Sequence, residues 1–311
     1  MTKKADAMIR LRLGTRRSAL ALAQSGMVAR SLEEVHPGLD VELVPMVTQG
    51  DVVTGDLALY GGKGLFTQEL ESGLLDGSLD LAVHSLKDLP VHLTEGLAVA
   101  AHPERADPRD VLVSEDAEDL DGLPEGAIVL TGALRRRAQI LMRRPDLRVE
   151  PIRGNVDTRI RKWREMGAGG VILAGAGLQR LAVGGIPIHP ISPDVLLPAP
   201  GQGTLALETR AGGPAATLCR ALDHQDSARA AKAERRVVAA FGGDCTLPLA
   251  AWARPDGDGG RMRLTALLAT PDGRHAARGE AVAGTPEEAA EACIAALRAD
   301  GAEEVLARLR D

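Results

Sequence analysis

The segment Leu79-Asp80-Leu81-Ala82-Val83-His84-Ser85-Leu86-Lys87-Asp88-Leu89-Pro90 decides how this chain is read. Leu81-Ala82-Val83 is a short apolar run of the kind a buried strand uses. Pro90 has no amide hydrogen to give a central ladder, so the strand ends before it. Just past the strand, His84, Ser85, Lys87 and Asp88 fall within five positions. Ligands of open α/β sheets bind outside the carboxyl ends of the strands. The segment therefore puts a carboxylate and an ammonium where such sheets do chemistry. Taken alone, it reads more simply as a polar turn with a local Lys–Asp ion pair.

The same strand-then-polar-turn pattern recurs on both sides. Ile9–Gly14 reads as a first strand, and Ser18 as the N-cap of a helix from Ala19 to Glu34. Leu20, Ala23, Met27 and Val28 fall on one face of that helix. Asp40–Val47 is a second strand, closing with Gln49-Gly50-Asp51. Gly61-Gly62-Lys63-Gly64 precedes a helix from about Leu65 to Leu75, where backbone N–H groups can cradle an anion. It lacks Walker A spacing, and a glycine-rich surface loop accounts for it as well.

His102–Arg109, polar with two prolines, suits a crossing between domains. Beyond it come strands at Asp110–Ser114, Ile128–Thr131, Leu147–Ile152 and Val171–Ala174. Helices are expected at Leu134–Met142, at Val156–Met166 (Val156, Ile160, Trp163 and Met166 inward) and opening at Leu178. Polar residues cluster after the strands: Arg16, Asp51, Asp88, Thr131 and Arg153. Leu205-Ala206-Leu207, after the rigid Pro198–Gly203 segment, can return the chain to the first lobe as another strand. Past about Leu222 the pattern changes to a helix at Ser227–Phe241 and a Gly242–Cys245 loop. Antiparallel strands at Leu249–Ala253, Arg263–Ala269 and Ala276–Val282 follow, then a helix at Pro286–Ala299.

The expected fold is thus α/β, with two doubly wound lobes and a small C-terminal α+β domain built on a three-stranded antiparallel sheet. The expected divisions are 1–103 with 198–220, 104–197, and 221–311.

Composition narrows the function. The 311 residues are 45% hydrophobic and 26% charged, a globular balance. No apolar run reaches the length of a membrane span, and the polar start from Met1 to Met8 is not a signal peptide. The three cysteines, Cys219, Cys245 and Cys293, have neither metal nor disulfide spacing, which favours a reducing cytoplasm. The seven histidines are scattered, so no metal is expected. Five aromatics are too few for a base-stacking platform, and a net charge of −6 argues against nucleic acid. The charge is uneven, however. Thr131–Arg180 holds twelve basic and four acidic residues, net +8, leaving −14 elsewhere. That describes a local anion site in an acidic protein.

Cys219 and Cys293 lie in helical patterns and read as small buried hydrophobes. Cys245 lies in a glycine-rich loop where a thiol can be reached. Neighbouring Asp244 opposes a thiolate, which suits a covalent tether better than a fast nucleophile.

Seven segments, in order, resemble the hydroxymethylbilane synthase (porphobilinogen deaminase) family. They are Thr15–Ala21, Gly61–Phe66, Ala82–Asp88, Leu134-Arg135-Arg136, Arg153–Val156, Gly201-Gln202-Gly203 and Gly242–Cys245, within a match from about residue 9 to 310. The resemblance implies two lobes like those of periplasmic binding proteins and a third, cofactor-bearing domain. It implies a dipyrromethane cofactor joined by a thioether to Cys245. The implied reaction condenses four porphobilinogen units head to tail, releasing ammonia each time, and frees hydroxymethylbilane with water.

Asp88 matches the family's catalytic aspartate. Ser85, Lys87, Asp88, Thr131, Arg135, Arg136 and Lys63 match cofactor contacts. Arg16, Ser18, Gln24, Phe66, Arg153, Arg159 and Arg180 match substrate contacts, with Asp51 a further candidate. The residue types suit the chemistry, because each porphobilinogen carries two carboxylates and guanidinium forks bind carboxylates in bidentate fashion. One carboxyl can protonate the leaving amine and later take up the ring proton. Arg137, Arg143, Arg144, Arg161 and Arg164 are assigned to solvated helix faces.

Three departures from the family pattern stand out. Gly132-Ala133 replaces two serines, Leu59 replaces a lysine, and Asp244 is inserted in the cysteine loop. The expected protein is a cytoplasmic monomer with a small-molecule substrate, no nucleic acid and no membrane. The competing reading is a non-catalytic, two-lobed carboxylate-binding module.

Overall fold

The computed structural model describes residues 9–48, 67–242 and 247–310. The chain opens with β1 (Ile9–Arg16), α1 (Ala19–Val35), β2 (Leu39–Met46), α2 (Gln68–Leu75), β3 (Leu81–Ser85) and β4 (Leu97–Ala101). It continues through β5 (Asp110–Val113), β6 (Ile128–Leu130), α3 (Leu134–Arg143), β7 (Arg148–Glu150), α4 (Val156–Met166), β8 (Gly170–Ala174), α5 (Gly175–Arg180) and β9 (Ile188–Pro190). Then follow β10 (Leu205–Arg210), α6 (Pro214–Cys219), α7 (Gln225–Ala240), β11 (Leu249–Pro255), β12 (Met262–Ala269), β13 (Ala276–Ala283), α8 (Pro286–Ala299) and α9 (Ala302–Arg310).

The chain divides into two compact units, residues 1–104 with 205–228, and residues 105–204 with 229–311. The sheet of the first has strand order β2-β1-β3-β10-β4, and the larger sheet of the second has order β7-β6-β8-β5-β9. These are one topology used twice. In each, a central strand pairs in parallel with two neighbours, and a strand entering from the crossing runs antiparallel (β10 beside β3, β5 beside β8). The carboxyl ends of β1, β2 and β3 therefore share one edge, as do those of β6, β7 and β8. The expected return of Leu205-Ala206-Leu207 to the first lobe is observed as β10.

Strand alternation explains why helices cover both faces of each sheet. Leu81 and Val83 pack with α1 and α6 residues (Val28, Leu32, Ala215, Cys219), while Ala82 between them packs with Leu70 and Leu74 of α2. In the second unit, Leu112 and Ile172 face Ile140 of α3, whereas Val111, Val113, Val171 and Leu173 face Trp163 of α4 and Leu178 of α5. The lobes are doubly wound, as the sequence implies. The second unit also contains the antiparallel sheet β11-β12-β13, which closes a core with α7, α8 and α9 around Leu264, Leu268, Cys293 and Leu297. Helix α8 carries a full capping box between Thr285 and Glu288.

Several local expectations need correction. Helix α1 does begin behind Ser18, whose hydroxyl accepts from the Ala21 amide, but its inward stripe is Gln24, Ser25, Val28, Ala29 and Leu32. Met27 is 41% exposed. Two polar side chains take the place of the apolar ones expected there, and Gln24 is satisfied by a partner described below. Met166 is likewise exposed, because Gly167, in the left-handed conformation, ends α4 immediately after it. The helix expected to open at Leu178 instead spans Gly175–Arg180. Strands β4 and β9 and helices α6 and α9 were not read from the sequence. Cys219 and Cys293 are fully buried, as expected, and burial pushes both thiols up to about 12.

Candidate active site

In the first unit the candidate residues gather at the carboxyl ends of β1 and β3. Strand β3 is buried on both faces through His84, and a single 3-10 turn, Leu86–Asp88, follows it at once. That turn buries Leu86 and leaves Asp88 exposed. Lys87 is half-buried beside it. Ser85 ends the strand and meets Gln24 of α1, whose Nε2 donates to the Ser85 hydroxyl at 3.0 Å. This one bond joins two sequence candidates 61 residues apart and explains why a glutamine is tolerated on the buried face of α1. Arg16 closes β1, and Ser18 spends its hydroxyl acceptor on the helix cap.

Beneath this end lies a pair that sequence reading missed. His84 Nε2 lies 2.9 Å from Glu208 Oε2 on β10, with both side chains almost wholly buried. The sequence signal is weak, because Glu208 directly follows the apolar run Leu205-Ala206-Leu207 and reads as the polar residue that ends it.

The second unit holds the arginines, and here the structure separates two groups. Arg135 and Arg136, in the first turn of α3, are buried at 5% and 4% exposure. They share the carboxylate of Asp110: Arg135 Nη2 donates to Oδ2 and Arg136 Nη2 to Oδ1, each at 2.8 Å. Their Nη1 groups donate to the backbone carbonyls of Leu197 and Ile172. Burial raises the Asp110 carboxyl, but the two guanidiniums outweigh it and hold the group far below the usual carboxylate range. Burial lowers Arg135, with Asp110 opposing.

Two buried cations against one anion leave a net positive charge, and Arg136 Nε is buried with no partner among the described residues. Such a cluster is short of one anion.

Arg153 and Arg159 stand at the carboxyl side of β7. Arg153 is exposed, and Arg159 Nε donates to the Gly154 carbonyl at 2.7 Å. Arg180, at the end of α5, donates through Nη2 to the Gly203 carbonyl at 2.6 Å, and burial pulls it down to about 10. Its Nε is also buried without a partner among the described residues.

Thr131 is buried and accepts from the Ala133 amide at 3.3 Å. At Gly132 a Cβ would stand 2.6 Å from the Ile152 carbonyl oxygen, so a serine there would require the backbone to shift. Arg137 does not reach in to replace it: its Nη1 donates to the Val149 carbonyl. Arg144 is not simply solvated either, because it binds Asp146 and the carbonyls of Leu120, Asp121 and Leu123, fixing the loop before β6. Lys63, Phe66, Asp51 and Cys245 lie outside the described residues.

The Gly201-Gln202-Gly203 segment turns out to be a polar hub of this unit. Gly201 N donates to Glu234, Gln202 Nε2 donates to Asp110 Oδ1 and to the Pro108 carbonyl at 2.7 Å each, and Gly203 O accepts from Arg180. Gly203 has φ +86, and a Cβ there would lie 2.4 Å from the Ala106 carbonyl oxygen, so only glycine allows this approach. Asp110, Gln202 and Glu234 were not among the candidates. The motif itself was visible, but nothing in it distinguished a hub from a flexible turn.

Comparison with known proteins settles the family. Residues 11–217 match the model for "Porphobilinogen deaminase, dipyromethane cofactor binding domain", and residues 228–300 match "Porphobilinogen deaminase, C-terminal domain". This chain belongs to the porphobilinogen deaminase family. It is 45% identical over 303 residues to the porphobilinogen deaminase of Syntrophotalea carbinolica, with 96% of each chain covered. It is 42% identical to that of Brevibacillus brevis, covering 96% of this chain and 97% of the relative. A third, from Shouchella clausii, is 42% identical over 97% of this chain and 98% of the relative. Membership makes the chain a transferase of tetrapyrrole synthesis, a hydroxymethylbilane synthase with a dipyrromethane cofactor.

Proposed function

We propose that this chain builds hydroxymethylbilane from four porphobilinogen units with Asp88 as the proton carrier and the buried arginines as carboxylate holders. The observation that carries this reading is the Arg135–Asp110–Arg136 cluster. It is buried and, among the described residues, net positive, with one N–H on Arg136 that has no partner there. Acetate and propionate groups are the anions that porphobilinogen and dipyrromethane offer, so the donor set fits both.

The dipyrromethane group, tethered at Cys245, supplies the pyrrole terminus on which the chain grows. Arg135, Arg136, Thr131, Ser85, Lys87 and Lys63 hold it. Arg16, Ser18, Gln24, Phe66, Arg153, Arg159 and Arg180 hold the incoming porphobilinogen. Asp88, exposed at the end of a buried strand, delivers a proton to the leaving amine. Its anion then faces the positive charge on the ring and takes up the proton lost when the new bond forms. The three functional parts are residues 1–103 with 198–220, 104–197 and 221–311. The protein acts as a cytoplasmic monomer without a nucleic-acid partner; the net charge of −6 supports the lack of a nucleic-acid partner, and the odd, scattered cysteines support a reducing compartment. A carboxylate-binding module without catalysis would need the arginines but would have no use for Asp88.

Asp88→Asn tests the assignment, because it keeps size and hydrogen bonding but removes the proton. Turnover falls by about two orders of magnitude or more, while porphobilinogen still binds. Turnover within threefold of the parent protein excludes Asp88 as the carrier.

A further inference from the structure

We propose that Asp110, held by Gln202, is a positioning residue for this reaction: it fixes the direction in which Arg135 and Arg136 present their charge to a pyrrole carboxylate. The inference rests on the reading that these arginines bind such carboxylates.

The geometry is over-determined in a way that simple fold stabilisation does not require. Each guanidinium is held at two points, by one Asp110 oxygen and by one backbone carbonyl. Neither can turn without breaking a buried charge-assisted bond. The restraint leaves Arg136 Nε facing no acceptor among the described residues. Asp110 is restrained in turn. Its Oδ1 accepts from Arg136 and also from Gln202 Nε2, and the same amide nitrogen donates to the Pro108 carbonyl.

Gln202 is then fixed through its own carbonyl, which accepts from Arg105 Nε at 2.8 Å, and Arg105 is locked onto Glu234 of α7. The orientation of the arginine pair thus traces through neutral and charged bonds to α7, the helix that precedes Cys245 in sequence. A neutral amide in the middle of this chain is informative. It adds no charge to the cluster, so its contribution is direction.

Gln202→Met keeps volume and net charge while removing both N–H bonds. The readout is the rate at which the full-length apo-protein, given porphobilinogen, gains the mass of two pyrrole units, followed by intact mass spectrometry beside a thermal melt. Loading slowed tenfold or more, with a melting midpoint within a few degrees of the parent, is the expected result. Loading at the parental rate overturns the proposal, since a purely structural bond would shift the melt and leave folded protein loading normally.

Should Gln202→Met not fold, Gln202→Asn takes its place. Its amide is one methylene too short to reach both Pro108 and Asp110, so loading slows several-fold; parental loading there overturns the proposal too. Arg136→Leu separates the two layers. Slow loading in Arg136→Leu with normal loading in Gln202→Met sinks only the positioning role. Normal loading in both sinks the arginine reading with it.

Discussion

Glu234→Gln is the substitution whose cost the structure specifies best. Glu234 is fully buried and its two oxygens accept four N–H bonds. Arg105 donates through Nη1 (2.7 Å) and Nη2 (3.2 Å), and the amides of Gly201 (2.5 Å) and Ala253 (2.7 Å) supply the rest. Glutamine preserves the shape but turns one oxygen into a donor. With its remaining oxygen toward Arg105 Nη1 and Ala253, the new NH2 faces Arg105 Nη2 and Gly201 N, so two donors lose their acceptor.

Arg105, only 11% exposed at its side chain, also loses its counter-charge. Breaking one side of a buried pair costs about 3–5 kcal/mol. At roughly 2–4 °C per kcal/mol for a unit of this size, the transition of residues 105–204 with 229–311 should fall by roughly 10 °C. Scanning calorimetry on the full chain measures it. Removing the whole pair should be milder than the sum, so Arg105→Met combined with Glu234→Gln should cost no more than the worse single change. A shift below about 2 °C for Glu234→Gln, or strict additivity in the double variant, would refute the assignment of this pair as a buried, mutually dependent unit.

Two further outcomes follow from the structure. Asp110 titrates far below its ordinary range, so its stabilising contribution is fully present above the unfolded carboxylate value of about 4 and is lost as pH falls below that toward the folded value. Asp110→Asn should therefore cost most near neutrality and progressively less below about pH 4, read from melting midpoints across pH; a pH-independent difference would contradict the ion-pair account. Ala182 carries φ +50 just after α5, a left-handed conformation that costs a non-glycine residue about 1 kcal/mol. Ala182→Gly should leave urea stability equal or slightly higher, and a loss above about 1 kcal/mol would show that the alanine methyl has a role the backbone does not reveal.

Much of the fold was legible because period-2 apolar runs and capped helices recur in order, and α4 and α8 have the bounds their sequence gives. What stayed hidden shares a cause. Strand β9 is three residues ending in proline, β4 is an unbroken apolar run without alternation, and the α1 stripe is inverted by Gln24, which is satisfied from a distance, and by Ser25. Gln24 reads as a surface residue until Ser85, 61 positions away, is beside it. The arginine-dense window was visible as net charge, yet its internal division was not. Arg135 and Arg136 are buried on Asp110, whereas Arg143 and Arg161 pair with acids at the surface. Sequence spacing cannot separate these cases, since the deciding acid and carbonyls come from other elements. The Gln202 hub was missed for the same reason.

A chain that works as proposed carries its own covalent pyrrole primer at Cys245 and extends it. Intact mass of the purified full-length protein, made where porphobilinogen is available, tests this most directly. The expected result is an added mass of two pyrrole units, absent from Cys245→Ser, with further porphobilinogen units appearing on brief exposure to substrate. Unmodified parent protein, or the same adduct on Cys245→Ser, would contradict it.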